Sequence, residues 1–147
     1  MYQHILIPTD GSPLSEAASR SGIALAKSLN ARVSALYVSP RYDDRPPSEG
    51  SAMMWESRKH FEDAARNRAD QVLGVVKKMA GDQGVSCDAD WVYNDYPYEA
   101  IIEAAKSRNC DLIFMASHGR SGVKAILLGS ETNKVLTHCT IPVLVCR

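Results

Sequence analysis

The sequence predicts an α/β fold in which five parallel strands form a doubly wound sheet with helices on both faces. Two observations lead to this prediction. Short apolar runs of strand length alternate with longer segments whose apolar residues recur at helical spacing. The short runs are apolar at successive positions, which is typical of strands buried on both faces of a parallel sheet.

The first strand, helix and second strand can be located in order. An apolar run at residues 4–8 predicts the first strand, and turn residues then lead to Ser12 and Pro13. Serine is a favoured helix N-cap and proline suits the first helical position, so a helix should begin at Pro13. Its apolar stripe continues until Asn30, and the apolar, β-branched run 31–38 predicts the second strand.

The segment 40–56 combines proline, glycine and charge without periodicity, and it predicts a long loop. Long loops are often lids, so Met53, Met54 and Trp55 would either cover a ligand or pack on the surface. An amphipathic pattern follows and predicts a helix over 57–80.

The rest of the chain continues the alternation of strands and helices. It predicts a strand at 87–93, a helix from Pro97, a strand at 111–116, a helix at 130–138 and a strand at 141–146. Because 147 residues with 45% hydrophobic content can bury a core, we expect one domain over 1–147.

Composition argues against several functional classes. Lys+Arg and Asp+Glu both number 17, so zero net charge offers no general attraction to nucleic acid or an anionic membrane. No segment has transmembrane length, and the N-terminus lacks a signal-peptide pattern. The four cysteines, at 87, 110, 139 and 146, have no paired spacing. We therefore expect a cytoplasmic protein with reduced, buried thiols, no metal site, and no nucleic-acid or membrane partner.

Two turn sequences fall where a ligand would bind in such a sheet. Ligands bind beyond the carboxyl ends of parallel strands, where the winding direction reverses, and residues 8–12 and 116–122 follow the first and fourth strands. Glycines such as Gly119 allow positive φ and close approach to the main chain. A helix starting at Gly129-Ser130 would direct N–H groups and a positive dipole end towards a phosphate. This pattern predicts a phosphate held by main-chain amides.

The residues Ala116-Ser117-His118-Gly119, nine further residues and Gly129-Ser130 resemble a family motif. It is the G-x2-G-x9-G-S/T sequence of nucleotide-binding universal stress proteins. The stretches IPTDGS and PVLV are similar too, so the resemblance extends over essentially the whole chain. It implies a Rossmann-like sheet of order 3-2-1-4-5, ATP as ligand with or without Mg²⁺, and a homodimer. In that dimer the strand 141–147 pairs with its copy, which would cover an apolar edge.

The resemblance also implies a residue-level site with no catalytic residue. It places Pro8, Thr9 and Asp10 beside the adenosine and gives Val38 a backbone contact with the adenine. The ribose and phosphates would be bordered by Met115, Ala116, Ser117, His118, Gly119, Arg120 and Ser121. The phosphate oxygens would be received by Gly129, Ser130, Glu131 and Thr132. Asp10 is a candidate ribose or metal partner, although it could equally be a turn residue.

Alanine replaces the first glycine of the motif at position 116. If this residue required a positive φ, alanine would cost on the order of 1 kcal/mol. Such a cost would weaken a micromolar nucleotide site rather than abolish it.

Three functions from different classes remain open. We favour an ATP-binding stress-response regulator or sensor, with hydrolysis slow at most, because phosphate-transfer, zinc and serine-nucleophile motifs are absent. A non-nucleotide interaction module of the same fold would make Ala116 the mark of a lost site. A small hydrolase or transferase would use Asp10 and His118, although His118 could be a polar turn residue.

Overall fold

The computed structural model describes residues 1–42, 51–119 and 128–147, with the backbone alone for residues 51–56. In these ranges, strands and helices alternate along the chain as predicted. The elements are β1 (His4–Pro8), α1 (Pro13–Leu29), β2 (Arg32–Ser39), α2 (Ser51–Asp82), β3 (Cys87–Tyr93), α3 (Pro97–Ser107), β4 (Leu112–Ala116), α4 (Ser130–His138) and β5 (Val143–Cys146).

The strands form a parallel sheet in the order β3-β2-β1-β4-β5, which confirms the predicted topology. In the centre of the sheet, Ile5 of β1 lies opposite Val33 of β2 on one side and Leu112 of β4 on the other. The winding direction reverses between β1 and β4. The loops that follow these two strands therefore leave the same edge of the sheet side by side.

Apolar side chains pack on both faces of the sheet, and β1 contributes to both. Ile5 and Ile7 join the core that includes residues of α1 and α2, whereas Leu6 joins the core that includes residues of α3 and α4. All three side chains are fully buried. Because successive side chains of a strand point to opposite faces, this division confirms that helices cover both sides.

The edge strands differ from the prediction that the strands are buried on both faces. Asp88 and Asp90 of β3 are exposed, and so is Leu144 of β5. That prediction holds for β1, β2 and β4 but is wrong for β3 and β5. The edge strands lie at the border of the helix layers, where one strand neighbour is missing. Charged side chains on β3 also oppose pairing with another chain.

Helix α1 begins and ends as predicted. Ser12 is its N-cap and accepts a hydrogen bond from the Ser15 N–H, and Pro13 occupies the first helical position. At the other end, Asn30 adopts the left-handed conformation with φ of 55°. Asparagine tolerates this conformation better than most residues, so it ends the helix.

Helix α2 is longer than predicted. It begins at Ser51, so the predicted loop is wrong for residues 51–56, while residues 43–50 lie outside the described part of the chain. Residues 51–56 contain no proline or glycine, and most of them favour helix. The suggested lid side chains of Met53, Met54 and Trp55 also lie outside what is described. Within the described ranges, no helix combines the length and apolarity needed to cross a bilayer.

The last two strands begin later than predicted, for local chemical reasons. β4 starts at Leu112, directly after Asp111, whose carboxylate accepts the N–H groups of Gln3 and His4. β5 starts at Val143, after Pro142, which has no N–H to donate. The Pro142 carbonyl still accepts a hydrogen bond from the Ile113 N–H at 2.9 Å.

Candidate functional site

A cleft of about 390 Å³ opens at the carboxyl edge of the sheet, between the ends of β1 and β4. Twelve of the predicted site residues line it: Pro8, Thr9, Asp10, Val38, Met115, Ala116, His118, Gly119, Gly129, Ser130, Glu131 and Thr132. Ser117 is buried and does not line the cleft, while Arg120 and Ser121 fall outside the described residues. The structure therefore brings together most of the residues that the family resemblance selected.

The loop after β1 is a tight turn built by its own side chains. The Ser12 N–H donates to Asp10 Oδ1 at 2.9 Å, and the Gly11 N–H donates to Thr9 Oγ1 at 3.3 Å. Gly11 has φ of +76°, a conformation that other residues adopt at a cost. Asp10 thus acts as a turn residue through one carboxylate oxygen and lines the cleft as well.

The two loops meet where Gly119 lies against Asp10. A β-carbon built on Gly119 would be 2.9 Å from Asp10 Oδ2, so glycine permits this approach. A β-carbon on Gly129 would similarly be 3.2 Å from the Ser117 carbonyl oxygen. Neither glycine has a positive φ. Of the two properties expected of Gly119, positive φ is not used, whereas close approach is: both glycines pack tightly against neighbouring chain segments.

Helix α4 begins at the cleft, at Ser130 as predicted. Two hydrogen bonds fix its first turn to the end of β4: the Gly129 N–H donates to the Ser117 carbonyl at 2.7 Å, and Thr132 Oγ1 donates to the Ala116 carbonyl at 3.0 Å. The N-cap is Gly129, which has no side chain to satisfy the first helical N–H groups. These N–H groups and the positive end of the helix dipole can therefore serve an anion.

Two side chains of this first turn, those of Glu131 and Thr132, are already engaged. Thr132 Oγ1 binds the β4 carbonyl, and Glu131 Oε2 accepts the Tyr98 N–H of α3 at 2.9 Å. Glu131 Oε1 also accepts a hydrogen bond from Lys134 Nζ at 3.1 Å. Glu131 thus caps α3, whose N-cap residue Tyr96 forms no side-chain cap. Any phosphate contact by Glu131 or Thr132 would therefore come from the main chain.

The main chain of Val38 faces the cleft for a reason of strand register. The Thr9 N–H donates to the Leu36 carbonyl, whereas the Asn94 N–H donates to the Ser39 carbonyl on the other side of β2. Polar groups of alternate residues in a parallel strand point the same way, so those of Val38 point towards β1, like those of Leu36. β1 ends at Pro8, opposite Leu36. The N–H and carbonyl of Val38 therefore lie beyond the end of β1, at the cleft.

Four lining residues were not predicted from the sequence, namely Ser15, Leu36, Pro97 and Ile101. Two signals could have identified three of them. Leu36 lies two positions before Val38 on the same face of β2, and Pro97 and Ile101 are four apart at the start of α3. With Val38 and Met115 they give the cleft an apolar wall.

Ala116 carries no backbone strain. It belongs to β4, and within the described residues positive φ at a non-glycine occurs at Asn30 and Asn109. The conditional penalty for alanine therefore does not apply. Its neighbour Ser117 is 2% exposed and has a structural role, since its N–H donates to the Cys146 carbonyl at 2.8 Å.

The ionisable groups near the sheet give few signs of metal or thiol chemistry. Among the described residues, no three His, Cys, Asp or Glu side chains cluster in a way that could hold a metal ion. The cysteines are free thiols, but only Cys110 is buried, so the prediction of burial is wrong for the other three, which are half-buried. Burial raises the pKa of Cys110 to about 11, which keeps this thiol protonated and unreactive.

Comparison with known proteins agrees with this arrangement. A sequence model described as the universal stress protein family matches residues 1–147. Universal stress protein MJ0531 of Methanocaldococcus jannaschii is 36% identical over 151 aligned positions, which cover 100% of this chain and 83% of the relative.

Solved structures share the fold over nearly the whole chain. MJ0577 of Methanocaldococcus jannaschii has a TM-score of 0.82 and 30% identity, with 99% of this chain and 95% of that chain covered. A universal stress protein solved in complex with cAMP has a TM-score of 0.72 and 20% identity, with 99% and 97% covered. The match of the whole sequence to the family model, together with these relatives, shows that the chain belongs to the universal stress protein family.

Proposed function

We propose that this universal stress protein binds ATP in the cleft between β1 and β4 and acts as a dimeric regulator or sensor in a stress response. The observation that carries the proposal is the start of α4, which has a glycine N-cap and faces a cleft with an apolar wall. A nucleotide has the same two-part character, with an anionic tail and a flat ring.

The phosphates would lie at the start of α4. Main-chain N–H groups and the helix dipole bind phosphate without a lysine, and the first turn is held in place by Ser117 and Ala116 of the adjoining segment. Because the side chains of Glu131 and Thr132 are engaged elsewhere, Ser130 is the residue of this turn whose hydroxyl would reach the phosphates.

The adenine would lie against the apolar wall. Leu36, Ile101 and Met115 give it apolar surface, and the N–H and carbonyl of Val38 offer a donor and an acceptor at the edge of the ring. Asp10 would bind the ribose between the two ends. The cAMP complex of a universal stress protein supports this choice, since that protein binds an adenine nucleotide.

Any hydrolysis of ATP is expected to be slow. Efficient phosphoryl transfer needs carboxylates that hold metal ions and a residue that positions the nucleophile. Asp10 and Glu131 are the carboxylates among the described lining residues, and Glu131 is bonded to Tyr98 and Lys134. We expect Mg²⁺ to enter with the triphosphate, which supplies most of its ligands together with water.

The dimer would form through β5. This strand lies at the edge of the sheet beside β4, and its Leu144 side chain is 39% exposed. Pairing with a second copy would satisfy the outer polar groups of the strand and cover this side chain.

A charge placed at the start of α4 tests the phosphate position. We would titrate nucleotide-free protein with adenosine, AMP and ATP by calorimetry, using Ser130→Asp and the matched control Asn133→Asp. Both variants add one negative charge to α4, but residue 133 is exposed and lies away from the cleft lining. Ser130→Asp should weaken ATP binding about tenfold or more, equivalent to ~1.4 kcal/mol, and should change adenosine binding little.

Two results would contradict the proposal. If the unmodified protein bound no adenine nucleotide at millimolar concentration, a non-nucleotide interaction module would become the better assignment. If Ser130→Asp and Asn133→Asp weakened ATP binding equally, the phosphates would not lie at the start of α4. Mass spectrometry of small molecules released from freshly denatured protein would identify the bound nucleotide directly.

A further inference from the structure

Arg68 of α2 reaches the loop after β1 from behind the cleft. Its guanidinium Nη2 donates to the Asp10 carbonyl at 3.4 Å. Its Nε is buried and has no hydrogen-bond partner among the described residues. A buried N–H group without a partner carries a free-energy cost, so the position of this arginine calls for an explanation.

The loop is shaped to receive this arginine. A β-carbon on Gly11 would be 2.8 Å from Arg68 Nη2 and 2.7 Å from Val72 Cγ2. Gly11 also has φ of +76°. Glycine at position 11 therefore lets the main chain turn sharply and, at the same time, lie directly on α2.

Asp10 is held at two points by different parts of the chain. Its carbonyl accepts the bond from Arg68, and its carboxylate Oδ1 accepts the Ser12 N–H. The other carboxylate oxygen lies beside Gly119, on the cleft side. Arg68 is not part of the cleft lining, so it can influence a ligand there by way of Asp10.

We propose that Arg68 is a positioning residue for the nucleotide site. It fixes the peptide group that follows Asp10, and this sets the direction of the Asp10 carboxylate at the cleft. The inference rests on the proposed function for its ligand, but not for the contact between Arg68 and the loop. It links α2, which lies outside the binding motif, to the nucleoside part of the site.

The proposal predicts a distinctive pattern of affinities. Because Asp10 is placed at the ribose, losing Arg68 should weaken the binding of adenosine, AMP and ATP by the same factor. The net contribution of a typical hydrogen bond would make that factor about threefold to tenfold. Loss of a residue that contacted the phosphates directly would instead lower the affinity for ATP most.

The experiment compares Arg68→Met and Arg68→Lys with the control Arg66→Met. Arg66 is exposed on the same helix, so its loss changes the net charge equally without removing a contact to the loop. Calorimetry gives the three affinities, and hydrogen exchange in the ligand-free protein reports on the N–H groups of Gly11 and Ser12. Thermal unfolding of each variant shows whether the fold is retained.

The expected result is an equal loss of all three affinities in Arg68→Met and faster exchange at Gly11 and Ser12. Arg68→Lys should recover most of the affinity, because lysine keeps the charge and a long stem. Exchange at Gly11 and Ser12 like that of Arg66→Met would overturn the proposal, as would a loss confined to ATP. If Arg68→Met did not fold, the same comparison would use Arg68→Gln.

The two proposals fail in different ways. Absence of nucleotide binding by the unmodified protein would reject the proposed function. The exchange rates would still decide the role of Arg68, since they are measured without ligand.

Discussion

Asp10 Oδ2 and Gly119 are in such close contact that a β-carbon on Gly119 would lie 2.9 Å from the carboxylate oxygen. This contact joins the loop after β1 to the loop after β4, although 108 residues separate the two in sequence. The cleft is therefore formed by two segments that each depend on the position of the other. Changing either residue should disturb the site more than the fold.

Gly119→Ala should weaken nucleotide binding. The added methyl group would push the Asp10 side chain away. This side chain is short and accepts a hydrogen bond from the Ser12 N–H, so it cannot move without losing that bond. We expect a loss of about tenfold in ATP affinity, equivalent to ~1.4 kcal/mol, measured by calorimetry.

Gly74→Ala is the matched control for this change. A β-carbon on Gly74 would meet no atom within 4 Å, and the residue lies within α2. Alanine there should leave affinity unchanged and raise the free energy of unfolding by up to about 1 kcal/mol, because alanine favours helix over glycine. Equal affinities in Gly119→Ala and the unmodified protein would contradict the role of the Asp10 contact.

Thr132→Val should destabilise the first turn of α4. Thr132 is 3% exposed and its hydroxyl donates to the Ala116 carbonyl, so valine would leave a buried acceptor without its partner. The free energy of unfolding in urea should fall by about 1–3 kcal/mol.

Thr132→Ser tests the same hydrogen bond from the other direction. Serine keeps the hydroxyl and removes a methyl group, so it should retain more stability than valine if the bond to Ala116 is the dominant contribution. The opposite order would show that packing of the methyl group matters more than the hydrogen bond.

Much of the site could be predicted because the motif residues are close in sequence and the parallel sheet fixes where strands end. The spacing of Gly119 and Gly129 located the loop and the helix start correctly. It could not reveal why glycine is present, because the atoms that a β-carbon would crowd are Asp10 Oδ2 and the Ser117 carbonyl oxygen. Those contacts depend on the folded arrangement of distant segments.

The same limit explains why the roles of Arg68 and Ile101 could not be predicted from the sequence. Both lie on helices whose sequence pattern predicts a buried stripe but not which loop or cleft the helix reaches. Residues 51–56 were mispredicted for the opposite reason, since nearby prolines and a glycine outweighed their own preference for helix. Local signals located the elements, whereas contacts between the elements required the structure.

His4 should make stability depend on pH in the mildly acidic range. It is 5% exposed, and its Nε2 lies 2.8 Å from Ser34 Oγ. Burial, and then the charge of Arg32, lower the pKa of His4 from its ordinary value of 6.5. In the unfolded chain His4 therefore binds a proton at a higher pH than in the fold. Stability should fall as pH drops below about 6.5.

Urea unfolding at pH 7.5 and pH 5.5 would measure this effect, with His4→Gln as the test variant. Glutamine cannot take up the proton, so the difference in free energy between the two pH values should shrink. Asp111→Asn is a comparison variant, because the contribution of Asp111 to stability changes in a different pH range. Burial favours a higher pKa for Asp111, but the N–H groups of His4 and Gln3 hold it below its ordinary value. Its contribution is therefore lost only as pH falls below about 4. Equal pH dependence in His4→Gln and the unmodified protein would contradict the prediction.

Leu144→Lys should dissociate the proposed dimer. Leu144 belongs to the edge strand β5 and is 39% exposed, so a lysine there would be solvated in the monomer but desolvated or repelled in a paired edge.

Val92→Lys on the opposite edge strand β3 is the matched control, since Val92 is 36% exposed. Analytical ultracentrifugation should show a dimer for the unmodified protein and Val92→Lys, and a monomer for Leu144→Lys. A dimer that is lost with Val92→Lys but kept with Leu144→Lys would place the interface at β3 instead. Because the nucleotide cleft lies between β1 and β4, the Leu144→Lys monomer should still bind ATP, which separates assembly from ligand binding.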